Sequence, residues 1–138
     1  MAIIESEIKM SSMEAVKDFM WMGGQELDQA LSPARLEFRT KLLMEEVEET
    51  SAEALSIATT LCRGGDVSPE DIAALLKELC DVQYVLDGFF LTFGFNKDFA
   101  FERVHESNMS KLGGVTKDED GKIMKGKNYK KPDLTDLV

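Results

Sequence analysis

Four acidic side chains lie at helical spacing beside apolar residues in two segments of the sequence. Glu46 and Glu49 are three residues apart, and so are Glu78 and Asp81. Since successive helix residues turn by about 100°, each pair would border the apolar stripe of its helix, whereas Glu48 would point to solvent. If the two stripes face each other, the four carboxylates converge and repel one another. A divalent cation would relieve this repulsion, and oxygen-only ligands suit Mg²⁺ or Mn²⁺. The alternative interpretation is two solvated acidic helix faces.

Basic and polar side chains near the end of the sequence could bind phosphate. Asn108 and Lys111 are three residues apart, and Lys125 and Tyr129 follow in a segment, 111–131, that holds seven lysines. Lysine ammonium groups, amides and phenols can all donate hydrogen bonds to phosphate oxygens. The competing interpretation is a lysine-rich solvated surface.

A nucleobase could stack on an aromatic side chain in the first part of the sequence. Trp21, Phe19 and Phe38 are candidates, although their spacing also fits ordinary core packing. Gln25 and Arg39 lie close to them in sequence and could reach a base or a phosphate.

Composition restricts the class of protein. The chain has 138 residues and a net charge of −10, which predicts one domain and argues against nucleic-acid binding through phosphates. The sequence has no uninterrupted apolar run of about 18 residues, so we expect no membrane-spanning helix. One histidine and two cysteines cannot make a four-ligand zinc site. The acidic start of the sequence and the isolated cysteines, Cys62 and Cys80, favour a cytoplasmic protein.

The apolar spacing predicts four helices that would position these groups. They are expected at about 11–22, 33–62, 69–93 and 96–112, with starts marked by Ser11, Ser32, Ser68 and Asn96 and ends marked by glycines. In the last of them, Phe101 and Val104 are expected to point inward. We therefore predict an all-α bundle of about four helices over 1–112. Residues 113–138 would add a basic tail to the same domain, with a short hairpin of Val115-Thr116 and Ile123-Met124 around Asp120-Gly121, or an extended segment.

The motifs together resemble those of the MazG-like all-α nucleoside triphosphate pyrophosphohydrolases. The resemblance covers roughly residues 33–134, and its motifs are EEVEE at 45–49, ELCD at 78–81, SNMSK at 107–111, DGK at 120–122 and KGKNYKKPDL at 125–134. Residues 1–32 differ most from familiar relatives, so the resemblance does not indicate which nucleobase is preferred.

The resemblance implies an enzyme that hydrolyses (deoxy)nucleoside triphosphates to monophosphate and pyrophosphate with a metal-activated water. It also implies Mg²⁺ dependence and a homodimer or homotetramer, and the apolar faces expected on the long helices independently favour an oligomer. By position, the family's metal ligands correspond to Glu46, Glu49, Glu78 and Asp81. Its catalytic carboxylates correspond to Glu45 and Glu46. Its phosphate-binding residues correspond to Asn108, Lys111, Lys125 and Tyr129. Which carboxylate acts as the base is left open.

Three other interpretations compete with this one. A carboxylate di-iron bundle uses Glu-x-x-His twice, but Glu102 and His105 form the only such pair, because the chain has one histidine. The acidic helices could instead belong to a non-enzymatic interaction protein. A related hydrolase with another nucleotide substrate, such as an alarmone, is the third.

Overall fold

A computed structural model of the chain describes residues 10–112 and 116–138. Most of these residues form four α-helices: α1 (Ser12–Met22), α2 (Pro33–Cys62), α3 (Pro69–Thr92) and α4 (Lys97–Met109). Single 3-10 turns follow at Ser110–Leu112 and Thr135–Leu137. The all-α fold class predicted from the sequence is therefore confirmed.

Side-chain caps start the first three helices where the sequence predicts them. The Ser11 hydroxyl accepts a hydrogen bond from the backbone N–H of Glu14, and the Glu14 carboxylate accepts one from the Ser11 backbone. Ser68 and Asp71 form the same reciprocal pair at the start of α3, and Ser32 caps α2. Each cap satisfies N–H groups that lack a partner inside the helix. The first three helices therefore begin at the residues that the sequence predicts.

The first compact unit of the chain ends at Gly94 and contains α1, α2 and α3. Helix α3 packs against both of the others. The Ser12 hydroxyl donates a 2.6 Å hydrogen bond to the buried carboxylate of Asp87 and so ties α1 to α3. Val16, Met20 and Phe93 are buried apolar side chains of this unit. With α3 against α2, the acidic pairs of the two helices lie on neighbouring elements.

Helices α2 and α3 keep many apolar side chains in solvent. Leu55 is 66% exposed, Leu61 is 60% exposed and Leu76 is 61% exposed, although each lies on a long helix. A three-helix unit has too few elements to cover both sides of its long helices. Among the described residues, no helix has the length and hydropathy that a membrane crossing needs.

The second compact unit spans 95–138 and is built around α4. The buried hydroxyl of Ser107 donates a 2.6 Å hydrogen bond to the carbonyl of Lys130, and the hydroxyl of Ser110 accepts one from the Lys130 backbone N–H at 2.9 Å. Near the end of the chain, the guanidinium of Arg103 donates two hydrogen bonds to the carboxylate of Asp136. These contacts hold the extended C-terminal segment along α4.

The predicted hairpin is present as one tight turn. Lys117 and Ile123 form a single antiparallel bridge, and Gly121 has a φ of 84°, which suits a glycine in such a turn. Met124 N–H donates to the carbonyl of Thr116 at 2.8 Å. Val115, which the sequence also places in this hairpin, lies outside the described residues.

One orientation predicted for α4 is wrong. Phe101 is 67% exposed, whereas Val104 is half-buried as expected. This unit contains one long helix and an extended segment, so little apolar surface is present to cover a second large side chain on α4.

Candidate active site

Three of the four acids predicted to converge do so in the structure. Glu46 and Glu49 lie on α2 and Glu78 lies on α3, and one carboxylate oxygen of each is within 4.8 Å of the other two. The i, i+3 spacing places the first pair on one face of α2, and the packing of α3 supplies the third acid. The result is a cluster of negative charge between two neighbouring helices.

Two carboxylate oxygens in this cluster are buried without a partner. Neither Oε2 of Glu46 nor Oε2 of Glu78 accepts a hydrogen bond from any described residue. The side chain of Glu78 is only 16% exposed. Buried carboxylate oxygens without donors are costly, because the protein does not replace the hydrogen bonds that water would supply. These atoms are therefore well placed to interact with a cation or a water molecule.

The protonation of Glu46 reflects this environment. Burial raises the pKa of Glu46 above its usual value, and the negative charges of Glu49, Asp81 and Glu78 raise it further. The ammonium group of Lys77 lowers this pKa but does not cancel the increase. The carboxylate of Glu46 is therefore in a site where one more positive charge would be strongly favourable.

Lys77 supplies a positive charge beside the acids of α3. Its Nζ is 3.2 Å from Glu78 Oε1 and 2.7 Å from Asp81 Oδ2. Hydrogen bonds to Asp81 and Glu78 raise the pKa of Lys77, so the ammonium form is held firmly. Asp81 and Glu78 thus each have one oxygen paired with this lysine, and the contact to Asp81 is the shorter of the two.

The donor set fits a divalent cation that prefers oxygen ligands. The three clustered groups are all carboxylates, two of them have a buried oxygen without a donor, and burial and like charge disfavour the ionised form of Glu46. Mg²⁺ and Mn²⁺ bind such oxygen sets, whereas structural zinc sites use nitrogen and sulfur ligands. Glu46, Glu49 and Glu78 could hold the ion, and Asp81 could join them by exchanging Lys77 for it.

The acids next to the cluster in sequence have different surroundings. Glu45 is about half exposed, and its carboxylate lies 3.9 Å from Lys41 Nζ one helical turn earlier. Glu48 is exposed, as the helical phase predicts. Neither residue belongs to the group of three clustered carboxylates.

The second unit brings three of its four predicted phosphate-binding residues together. Lys111 Nζ lies 5.9 Å and Lys125 Nζ lies 5.0 Å from the centre of the Tyr129 ring. Both ammonium groups interact favourably with the ring, so one aromatic side chain holds two lysines near each other. Asn108 is exposed on the last turn of α4. This arrangement concentrates positive charge that can attract an anion.

Comparison with known families decides the class of protein. Residues 16–108, which are more than half of the chain, match the family model described as phosphoribosyl-ATP pyrophosphohydrolase. The chain belongs to this family. The comparison with curated proteins gave no match. The family is a member of the MazG-like all-α superfamily, so the coarser part of the predicted resemblance is confirmed.

Membership of the phosphoribosyl-ATP pyrophosphohydrolase family supports an enzyme that hydrolyses a nucleotide with release of pyrophosphate. The family is typically metal-dependent, which agrees with the carboxylate cluster. The matched segment contains all four predicted metal ligands and ends at Asn108. Lys111, Lys125 and Tyr129 lie beyond it, so their assignment rests on the motifs of the C-terminal segment alone.

The structure adds two features that the motifs do not indicate. Lys77 directly precedes Glu78 and lies four residues before Asp81, and this spacing permits an ion pair on one helix face. The side chain of Arg39 is buried beside that of Gln25. Trp21, the residue predicted to bind the base, is 76% exposed at the end of α1.

Proposed function

We propose that this chain hydrolyses nucleoside triphosphates between the α and β phosphates and releases a nucleoside monophosphate and pyrophosphate. The proposal rests on one observation above all. In a chain of a pyrophosphohydrolase family, three carboxylate oxygens of Glu46, Glu49 and Glu78 lie within 4.8 Å of one another. Glu46 and Glu78 each have a buried oxygen that accepts no hydrogen bond from the described part of the chain.

Glu46, Glu49, Glu78 and Asp81 are assigned as ligands of Mg²⁺, which Mn²⁺ could replace. When bound, the cation supplies positive charge that offsets the charge of the phosphate oxygens and makes a bound water more acidic. Binding also removes the repulsion among the carboxylates, because their negative charges then have a common partner.

The catalytic carboxylates are assigned as Glu46 and Glu45. A water molecule attacks the α-phosphorus, the bond to the bridging oxygen breaks and pyrophosphate leaves. Glu46 has a buried oxygen that accepts no hydrogen bond from any described residue, so it can accept a hydrogen bond, and then a proton, from that water. Glu45 is half exposed on the same helix and is assigned to orienting the water.

The groups that bind phosphate are assigned as Asn108, Lys111, Lys125 and Tyr129. The two lysines lie on the Tyr129 ring and concentrate positive charge there. When the bond between the α-phosphorus and the bridging oxygen breaks, that oxygen leaves with pyrophosphate and gains negative charge, which ammonium groups can stabilise. In this proposal residues 1–112 carry the acidic catalytic bundle, and residues 113–138 add the basic segment.

We also propose that the chain forms a homodimer or homotetramer. The support is the apolar surface of α2 and α3, where Leu55, Leu61 and Leu76 are each at least 60% exposed. A second copy would remove these side chains from water.

Cys62 and Cys80 are free thiols, which fits the predicted cytoplasmic location.

Phosphoribosyl-ATP is a second candidate substrate, favoured by the family that residues 16–108 match. It carries the same triphosphate, so the carboxylate cluster would perform the same cleavage. An alarmone or another nucleotide, and a role as a non-enzymatic acidic interaction protein, are the remaining alternatives.

The test is a substrate panel in which pyrophosphate and orthophosphate are measured separately. It contains the canonical nucleoside triphosphates, several damaged ones, phosphoribosyl-ATP and an alarmone, each with and without Mg²⁺. We expect pyrophosphate and monophosphate in equal amounts, only with the metal. Orthophosphate as the direct product would refute the position of cleavage, and no turnover of any nucleotide would favour the interaction protein.

A further inference from the structure

A cavity of about 260 Å³ lies in the first unit, between the loop that follows α1 and the beginning of α2. Its wall combines aromatic, amide and guanidinium side chains. The lining residues are Gly24, Gln25, Glu26, Arg35, Phe38, Arg39 and Thr92. Arg35 is paired with Glu26, so the charges of these two residues cancel. Arg39 is thus the remaining charge in the wall.

Arg39 is held rigidly in this wall. The residue is only 5% exposed, and its Nη2 donates a 2.8 Å hydrogen bond to Oε1 of Gln25. On the other side the guanidinium touches α3, where a Cβ added to Gly88 would lie 2.8 Å from Nη1. The pKa of Arg39 is lowered by burial, with no contribution from a neighbouring carboxylate. Arg39 therefore has no ion-pair partner among the described residues.

This contact determines which end of the Gln25 amide faces Arg39. An arginine side chain has only donors, so Gln25 must present its oxygen to Arg39. The amide nitrogen of Gln25 then remains for other partners, and within residues 10–112 and 116–138 it has none. The half-buried Gln25 therefore offers two N–H donors at the cavity.

Phe38 adds a flat apolar surface to the same cavity. Its side chain is 50% exposed, and the guanidinium of Arg39 lies 5.2 Å from the centre of its ring. A ring face beside fixed hydrogen-bond donors suits a flat aromatic ligand that has an acceptor on its edge. Nucleobases belong to this class.

The cavity is also placed suitably relative to the carboxylate cluster. Arg39 and Glu46 are seven residues apart on α2. At 1.5 Å and 100° per residue, they lie on nearly the same helix face and about 10 Å apart along the axis. This separation is comparable with the distance from the phosphates of a nucleotide to the far edge of its base.

We propose that this cavity binds the nucleobase and that Gln25, oriented by Arg39, selects bases with a carbonyl oxygen instead of an amino group at C6 of a purine or C4 of a pyrimidine. Uracil and thymine carry this oxygen at C4, and guanine and hypoxanthine carry it at C6, whereas cytosine and adenine carry an amino group at these positions. An amino group on the base would place its N–H donors against the N–H donors of the Gln25 amide. This inference rests on the proposed function, since it assumes a nucleotide ligand.

The test compares pairs of nucleotides that differ mainly in this group. For the wild-type protein, we expect kcat/KM to be about tenfold higher for ITP than for ATP and for UTP than for CTP, the size expected for one mismatched buried hydrogen bond. In Gln25→Glu, one carboxylate oxygen still accepts from Arg39 and the other is an acceptor. Both ratios should then fall below one.

The matched control is Gln29→Glu, which makes the same change in the same loop. Gln29 does not line the cavity, and its amide nitrogen donates to the carbonyl of Leu27 at 2.8 Å. For Gln29→Glu, the kcat/KM ratios of ITP to ATP and of UTP to CTP should equal those of the wild type. Circular dichroism of both variants checks that the helices are intact, and a misfolded Gln25→Glu would be replaced by Gln25→Met, for which both ratios should approach one.

A binding measurement without catalysis separates this inference from the proposed function. Calorimetry should show IMP binding more tightly than AMP, and UMP more tightly than CMP, with the order reversed in Gln25→Glu. If that pattern appears without hydrolysis of any triphosphate, the base site stands and the proposed function fails. If hydrolysis occurs but the ratios are the same in wild type and Gln25→Glu, the inference is overturned and the proposed function stands. If neither hydrolysis nor any preference appears, both are overturned.

Discussion

Lys77 Nζ lies 2.7 Å from Asp81 Oδ2, so an ammonium group of the chain itself occupies a position beside the carboxylate cluster. The same nitrogen is 3.2 Å from Glu78 Oε1. Lys77 therefore offsets part of the negative charge on α3 and would compete with a metal ion for the same two carboxylates. A metal ion that displaced Lys77 would become the new positively charged partner of Glu78 and Asp81.

Replacing Lys77 should make the cluster depend more strongly on a metal. In Lys77→Met, we expect a lower melting temperature without metal, because Glu78 and Asp81 lose their partner. The concentration of Mg²⁺ for half-maximal stabilisation should fall severalfold, because the competing cation is gone. Thermal melts over a Mg²⁺ series measure both effects. Lys41→Met is the control, since among the described residues Lys41 pairs only with exposed Glu45, at 3.9 Å. An equal response of the two variants would contradict this role for Lys77.

Mg²⁺ should stabilise the wild-type fold by binding to the clustered carboxylates. At 100 times its Kd, a ligand that binds only the folded state adds about 2.7 kcal/mol, which raises the melting temperature by several degrees. Scanning calorimetry measures the shift. In Glu46→Gln most of the shift should disappear, since a buried ligand oxygen is lost. An undiminished shift in that variant would place the metal elsewhere.

The helices and the acidic cluster could be predicted because local rules determine them. Ser11 with Glu14 and Ser68 with Asp71 are capping pairs readable from the sequence, and they set the helical phase. Along α2, which Ser32 caps, the helical repeat places Glu46 and Glu49 on the edge of the apolar stripe and turns Glu48 to solvent. Only the pairing of α2 with α3 was needed to bring in Glu78.

The sequence could not predict features that depend on how flexible side chains settle. Lys77 has four rotatable bonds, and its position reflects the local field of Glu78 and Asp81. Arg39 is buried because α3 presents a glycine, Gly88, at the point of closest approach. Phe101 is exposed because the second unit has little apolar surface to cover it. Each outcome depends on tertiary neighbours that periodicity does not reveal.

The raised pKa of Glu46 predicts a pH dependence of the metal-free protein. Burial is the main cause, with Glu49, Asp81 and Glu78 adding to it. Because the folded-state pKa lies above the unfolded value, the folded state binds more protons between the two. The contribution of Glu46 to the free energy of unfolding is therefore fully present below the pKa of the unfolded state. It is lost as the pH rises through the pKa of the folded state.

The measurement is the melting temperature in EDTA between about pH 4 and pH 7, where the carboxyl groups titrate. The wild type should lose more stability with rising pH over this range than Glu46→Gln, which has no proton to lose. The difference between the two proteins isolates Glu46 from other carboxylates, such as Asp136, whose pKa is lowered by its hydrogen bond to Arg103. Parallel curves would show that Glu46 is not the responsible group.

Catalysis should depend on Glu78 and not on Glu48. Glu78 is clustered with Glu46 and Glu49 and has a buried oxygen without a donor, so Glu78→Gln should reduce kcat/KM by about 100-fold or more. Glu48 is exposed on the opposite face of α2, so Glu48→Gln should stay within about twofold of wild type. Pyrophosphate release at saturating Mg²⁺ measures both, and a large loss in Glu48→Gln would contradict the site.

The exposed apolar side chains of α2 and α3 predict assembly. Leu55 and Leu76 are 66% and 61% exposed, and burying such leucines against a second copy contributes about 1.5–3 kcal/mol each. Light scattering after size exclusion should therefore give two or four times the mass of one chain. Leu55→Glu combined with Leu76→Glu should shift the protein to the monomer. Leu31→Glu changes an equally exposed leucine in the loop before α2 and should leave the mass unchanged. A monomeric wild type would refute the assembly, because the apolar faces would then be stable in water without a partner.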